Sequence, residues 1–338
     1  MVGVTSLLEW LDRFQRRHRW AAFPFAVVKK FGQDSAGNLA ALIAYYAFFS
    51  VFPLLLAFST ILGFVLHGHP DWQRSVEHSA FAQLPLVASK DQPAPLHGSI
   101  AALVVGLALA LWSGLGVGKT AQTAFNTVYL VPLKERPNFL TSTLRALGLI
   151  VVGGLGLIVT TALSSAVTSA PSVGGLDLGP GLRVAGTALA VALNTVLFLV
   201  LFRWLTVRHV PWRHALPGAI ISAAALQILQ LAATAFIDHK LKGASSTYGK
   251  NFGAVVVLLS WFYLQAQVVL LAAEVNVVRE YKLWPRGLRD DPSTEADHRA
   301  YEAYRDEVPE AGKFERRDKS AATRRGGPDR PAGPSDPG

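Results

Sequence analysis

The stretch Leu39–Leu66, LAALIAYYAFFSVFPLLLAFSTILGFVL, carries no Asp, Glu, Lys, Arg or His. A helix needs about 20 mainly apolar residues to cross a bilayer core of about 30 Å. This run exceeds that length, so it reads as a transmembrane helix. Five further apolar runs follow, at Ser99–Val117, Ala146–Ser169, Val184–Phe202, Leu216–Ile237 and Phe252–Ala273. The sequence therefore predicts an all-α fold, a polytopic membrane protein with a bundle of six transmembrane helices.

Composition agrees with that reading. Hydrophobic residues make up 51% of the 338 and charged residues only 16%, a balance suited to lipid. The polar stretch from about Lys282 onward dilutes a very apolar body. With no cysteine in the chain, a disulfide, a thiolate nucleophile and a Cys-ligated metal are all excluded.

The net charge of +9 would suggest nucleic acid in a water-soluble protein. Its placement points elsewhere. Arg13, Arg16, Arg17, Arg19, Lys29 and Lys30 precede the first span; Lys119, Lys134 and Arg136 follow the second; Arg203, Arg208 and Arg213 follow the fourth. The segment His67–Ser99 holds only Arg74 and Lys90, and Pro171–Pro180 holds no basic residue. Excess Lys and Arg on alternate loops is the positive-inside pattern, which puts both termini in the cytoplasm. Lys240, Lys242 and Lys250 run against it, falling in a loop this topology places outside. A cleaved signal peptide is not expected, because the first apolar run starts too late and is too long.

Three units follow from this pattern. Residues 1–38 form a cytoplasmic basic segment, in which Val4, Leu7, Leu8, Leu11 and Phe14 recur at helical spacing. Such a helix can meet anionic headgroups or pack on the bundle. Residues 39–278 form the six-helix membrane domain. Residues 279–338 read as a largely disordered cytoplasmic tail, rich in charge, Pro and Gly and poor in large apolar side chains.

Sites for soluble chemistry are hard to find. Ser113–Thr120, SGLGVGKT, approaches a phosphate-binding loop, but Ser113 replaces the first glycine and a membrane-length run takes the place of the required strand. A helix end with an interfacial lysine explains it better. His67, His69, Asp71, Glu77, His78 and His97 share one outer loop without a second His pair at metal-binding spacing. Ser/His/Asp and paired-carboxylate arrangements do not stand out either. The reading is of a protein that is not an enzyme and takes no cofactor, no metal and no nucleic acid.

Polar residues inside the spans are more telling. Ser260, Tyr263, Gln267 and Glu274 share one face of the sixth helix; Gln227, Gln230 and Thr234 stripe the fifth, Thr187 and Asn194 the fourth, and Tyr46, Ser50 and Pro53 the first. Polar side chains in a membrane helix face the bundle interior or a water-filled cavity, and ionisable ones are functional candidates by default. Hydrogen bonding between helices is the competing account, stabilising by roughly 0.6–2 kcal/mol per bond. The glycines of the second and third spans, Gly114-x-x-x-Gly118 among them, suit close helix packing.

At Ala44–Pro53, AYYAFFSVFP, the chain resembles the YihY/BrkB family of bacterial inner-membrane proteins. Ala124–Tyr129 (AFNTVY), Leu216–Ala219 (LPGA), Tyr248–Gly249, Trp261 and Ala273-Glu274-Val275-Asn276 match the family's other marks in order. Ala272 stands where the family usually has glycine, and Lys250–Asn251 make an unusual sequel to Tyr248-Gly249. The resemblance covers about Leu39–Val278. It implies six helices in the inner membrane with cytoplasmic termini, and marks Tyr45, Tyr46, Ser50, Pro53, Asn126, Tyr248, Gly249, Glu274 and Asn276 for testing. Members have carried a ribonuclease label, a virulence association and proposals of transport.

The expectation drawn from residues and resemblance together is movement of an amphipathic or lipid-like envelope component, with membrane lipids as partners. A scaffold that recruits protein partners through its cytoplasmic ends is the alternative. A ribonuclease is the third reading, and the loops lack the clustered carboxylates or acid–base pair it would need.

Overall fold

In the computed structural model, residues 12–15, 17–65, 100–169, 179–240, 247–288 and 294–307 are described, and these contain no strand. Eight helices are numbered here: α1 (Arg19–Gln33), α2 (Ala36–Val65), α3 (Ile100–Val128), α4 (Phe139–Ser169), α5 (Gly179–Leu205), α6 (Trp212–Lys240), α7 (Thr247–Glu280) and α8 (Glu295–Glu307). A 3₁₀ turn, Leu133–Glu135, links α3 to α4.

Helices α2 to α7 form a closed ring in chain order, each packing on the next, with α7 returning to α2. Inside the ring α3 also touches α5 and α7. Short links at one end place α1 against α7 and α2. Among the described residues, five helices are long and apolar enough to cross a membrane: Ala36–Leu54 of α2, Val104–Val128 of α3, Phe139–Gly156 of α4, Val184–Leu205 of α5 and Val255–Glu280 of α7. Helix α6 completes the ring.

Several elements run beyond their expected bounds. Helix α3 continues to Val128, so Ser113–Thr120 and Asn126 lie inside it, not in a loop after it. Lys119 of the loop-like motif sits 3.9 Å from the centroid of the Phe139 ring, an interfacial cation–π contact. Helix α2 starts at Ala36, three residues before the expected Leu39, and runs through Pro53 to Val65. Within the stretch read as a largely disordered tail, residues 281–288 pack against the ring and 294–307 hold α8. Its Ala300 joins Ala26 and Val27 of α1, Val278 of α7 and Leu283 in one apolar cluster, so the segment does bury enough surface to be ordered. The His-containing loop 67–97 lies outside the described residues, as do 1–11 and 308–338.

Burial is uneven along the ring. At the end that carries α1 and α8, all six helices contribute buried residues. Away from it, α2, α3 and α7 keep buried side chains as far as Val51, Ala110 and Leu258. On α4, α5 and α6 the last ones are Ala146, Phe198 and Ala223, and among the described side chains beyond them none is buried. A solid bundle would bury one stripe of each helix along its whole length. The ring thus buries its side chains fully at one end, while beyond it the described side chains of α4, α5 and α6 are half-buried or exposed although the helices still touch, Leu197 of α5 lying against Gly156 of α4. Exposed Trp20, Phe139, Trp204 and Trp212 collect at the packed end, where aromatic rings suit a membrane–water interface.

Packing at the tight end depends on missing side chains. A Cβ on Gly118 would sit 2.7 Å from Ala146 Cβ and 3.0 Å from its Cα, so α3 and α4 touch backbone to backbone there. We predict that Gly118→Leu forces α3 from α4 and costs about 1–3 kcal/mol, the range for overpacking. A lowered thermal midpoint of the detergent-solubilised protein checks this; an unchanged midpoint would contradict the backbone contact.

Candidate functional site

The site is built at the packed end by three chain reversals. Helix α1 ends at Asp34, followed by Ser35 with φ 51°. Helix α3 ends with Leu130 at φ 54°, where Val131 N–H donates to Asn126 O at 2.8 Å. Helix α7 ends alike, with Lys282 at φ 52° and Leu283 N–H donating to Val278 O at 3.0 Å. Such left-handed caps turn the chain sharply and satisfy the last carbonyls of a helix. They bring Lys30, Asp34, the Val128 carbonyl and Glu274 to one point.

Lys30, Asp34 and Glu274 have side chains with no solvent exposure. The Lys30 ammonium lies 2.5 Å from Asp34 Oδ2 and 2.8 Å from Glu274 Oε2, and donates to the Val128 carbonyl at 2.8 Å. Tyr304 of α8 donates its hydroxyl to Asp34 Oδ1. Burial works against a charged lysine, but the attraction of Glu274 and Asp34 outweighs it and holds the Lys30 pKa above its ordinary value. Tyr304 is pushed well up by burial and by Asp34, so it remains a donor. Both Glu274 oxygens are buried without a hydrogen-bond partner, Oε2 meeting the ammonium as an ion pair.

Two neutral networks flank this cluster. Asn276 accepts from Gly218 N–H at 2.8 Å and donates to Tyr129 Oη at 3.2 Å and to Ala215 O at 3.3 Å, tying α7 to α6 and to the end of α3. Asn126 accepts from Val207 N–H at 3.0 Å, tying α3 to the α5–α6 link. Below them, Arg286 donates to Asp297 at 3.1 Å and to Gln33 at 2.7 Å, while Lys29 donates to Gly287 O at 2.6 Å. A cleft of about 320 Å³ opens beside α8, lined by Leu130, Glu135, Arg208, Tyr281, Arg299 and Glu302 among others.

The residues singled out from sequence divide into groups. Glu274, last of the polar residues on the sixth-span face, is fully buried against Lys30. Asn126 and Asn276 clamp helix ends. Tyr46 packs its ring over Gly116 of α3, where a Cβ would come within 2.7 Å of it, and Tyr45 meets Tyr46 edge-to-face and Phe49 at a tilt. Ser50 donates to the Ala47 carbonyl of its own helix. The hydroxyl of Tyr263 lies beside Gly37 of α2. Gln267 is half-buried on α7, and Ser260 is exposed. Asn194, Gln227 and Gln230 are half-buried on α5 and α6. Pro53 lies within α2, while the side chains of Tyr248 and Gly249 fall outside the described residues.

Sequence reading passed over Asp34 and Tyr304 and counted Lys30 only as a topology charge. An acidic residue four after a lysine, just before the first span, was the one available signal.

The chain matches the family described as Virulence factor BrkB over residues 27–297, most of its length. It belongs to that family. It is 27% identical over 275 residues to the inner membrane protein YhjD of Escherichia coli (strain K12), covering 75% of this chain and 80% of YhjD. A UPF0761 membrane protein of Stenotrophomonas maltophilia (strain R551-3) is 26% identical over 294 residues, 82% of this chain and 65% of that protein. An uncharacterized protein of Dickeya dadantii (strain 3937) is 25% identical over 282 residues. No solved structure matches the chain. The matched region starts before Lys30 and ends at Asp297, so it includes Lys30, Asp34 and Glu274 of the cluster; Tyr304 lies beyond it.

Two outcomes follow. Lys30→Met leaves two buried carboxylates facing each other and is expected to cost about 3–5 kcal/mol, read as a lower thermal midpoint. Asp297 behaves differently. Burial alone would raise its pKa, but hydrogen bonds from Gly287 N–H, Thr294 and Arg286, with Lys29 nearby, hold it below the ordinary value of 3.8. Its stabilising effect is therefore present above that ordinary value and is lost as pH falls through the lower folded one. Limited proteolysis should cut α8 faster in Asp297→Ala than in wild type at neutral pH; equal rates would contradict this account of how α8 docks.

Proposed function

We propose that this protein moves an amphipathic, lipid-like envelope component across the bacterial inner membrane, through six spans with both termini in the cytoplasm. The observation that supports the reading is the asymmetric ring, sealed where α1 and α8 sit and, among the described side chains, without a buried one beyond Ala146 of α4, Phe198 of α5 and Ala223 of α6. A molecule with a polar head and apolar tails needs a polar recess that opens sideways to lipid. Asn194, Gln227 and Gln230 lie where packing lapses, in a position to serve the head while the tails stay in the bilayer. The basic residues flanking the sealed end support its cytoplasmic placement.

The reaction proposed is movement and not catalysis. A scaffold recruiting partners through the chain ends is the second reading.

Labelled native lipids in proteoliposomes provide the test. Wild type should carry label between leaflets. Asn194→Leu and Gln227→Leu should slow it several-fold with thermal midpoints unchanged. Leaflet exchange no faster than in protein-free vesicles would overturn the proposal in favour of the scaffold.

A further inference from the structure

The buried cluster does not balance its charge. Two carboxylates, Asp34 and Glu274, meet a single ammonium. Lys30 donates to Asp34 Oδ2 and to Val128 O. Its ammonium also lies 2.8 Å from Glu274 Oε2 as an ion pair. The hydrogen of Tyr304 goes to Asp34 Oδ1. Both oxygens of Glu274 are fully buried and without a hydrogen-bond partner. An uncompensated charge in such a place is costly, and a group so placed neutralises by taking up a proton.

Surrounding groups do not supply the missing positive charge. Tyr129 lies on the α3 side, and its hydroxyl is already engaged by Asn276. Arg286 is committed to Asp297 and Gln33. Glu280, further along α7, adds negative charge. The remaining acceptor capacity is on Asp34, whose carboxylate can take more than the two bonds it receives. It adjoins Glu274 across the ammonium that both share.

We propose that Lys30, Asp34, Glu274 and Tyr304 form a proton-binding site, in which Glu274 carries one exchangeable proton shared with Asp34. Proton uptake takes the cluster from a net charge of minus one to zero and seals α1, α3, α7 and α8 together. Its release leaves a buried negative charge that favours loosening of the packed end and entry of water. Proton binding stands on the cluster alone; its use in driving movement rests on the transport reading above.

Infrared difference spectra of the full-length protein in proteoliposomes, recorded across pH, test it. Wild type should show a protonated-carboxyl C=O band that shifts in deuterated water. The band should vanish in Glu274→Gln, whose amide imitates the protonated acid and should keep the wild-type thermal midpoint. Asp34→Asn gives an independent check, because it leaves one carboxylate for one ammonium. Glu274 should then ionise, and the band should disappear although the residue remains. Absence of the band in wild type at every pH overturns the proposal, as does a band that survives in Asp34→Asn. Lipid exchange measured on the same vesicles separates the two claims. Exchange without the band sinks only the proton site, and the band without exchange sinks only the transport reading.

Discussion

A lysine ammonium held out of water between two carboxylates is the constraint on which the rest of this structure depends. Lys30 comes from a helix outside the ring, Asp34 from the corner that starts the first span, and Glu274 from the last span. The Val128 carbonyl adds the end of α3, and Tyr304 adds α8. Desolvating three charged groups is expensive, and the arrangement persists only while all of them are present together. One point therefore fixes the register of elements far apart in sequence. The asparagine bonds beside it, from Asn126 and Asn276, carry the same end of the ring round to α5 and α6.

From that anchor the uneven packing follows. Short links and buried polar bonds gather at one end, where glycines let helices touch. Along α4, α5 and α6 the helices still touch, Leu197 lying against Gly156, but among the described side chains none beyond Ala146, Phe198 and Ala223 is buried. In lipid this is not a defect, because tails are as apolar as the side chains they replace and helix contacts give no hydrophobic gain. A sideways opening can thus exist without loss of stability. The same asymmetry makes the sealed end the natural place for control, which is where α8 docks.

Much of the fold was legible in the sequence. Long uncharged runs such as Leu39–Leu66 give helices directly, since length and composition alone decide them. Small-residue spacing at Gly114 and Gly118 forecast a close contact, which the structure places against α4. The ion cluster was far less legible. Lys30 and Asp34 look like interfacial charge until the turn at Ser35 tucks them beneath the ring. Glu274 appears near a surface when its helix is considered alone, and only α1 and α8 bury it. Helix α8 itself is polar by composition, and its order comes from specific partners such as Asp297 with Arg286, which no periodicity reports. Polar stripes indicated which residues face neighbours, but not that Tyr46 would serve packing while Asn194 and Gln227 lie where packing lapses.

The transport proposal needs a ring that is sealed at one end and holds, beyond it at Asn194 of α5, a polar recess that water can enter. The chain has no cysteine, so single cysteines can be placed without background. The most direct measurement is the reaction rate of a water-soluble thiol reagent with Asn194→Cys and Phe202→Cys in membranes. The account predicts rapid labelling at 194 and protection at 202. Equal protection at both positions would mean a bundle packed throughout, and would contradict it.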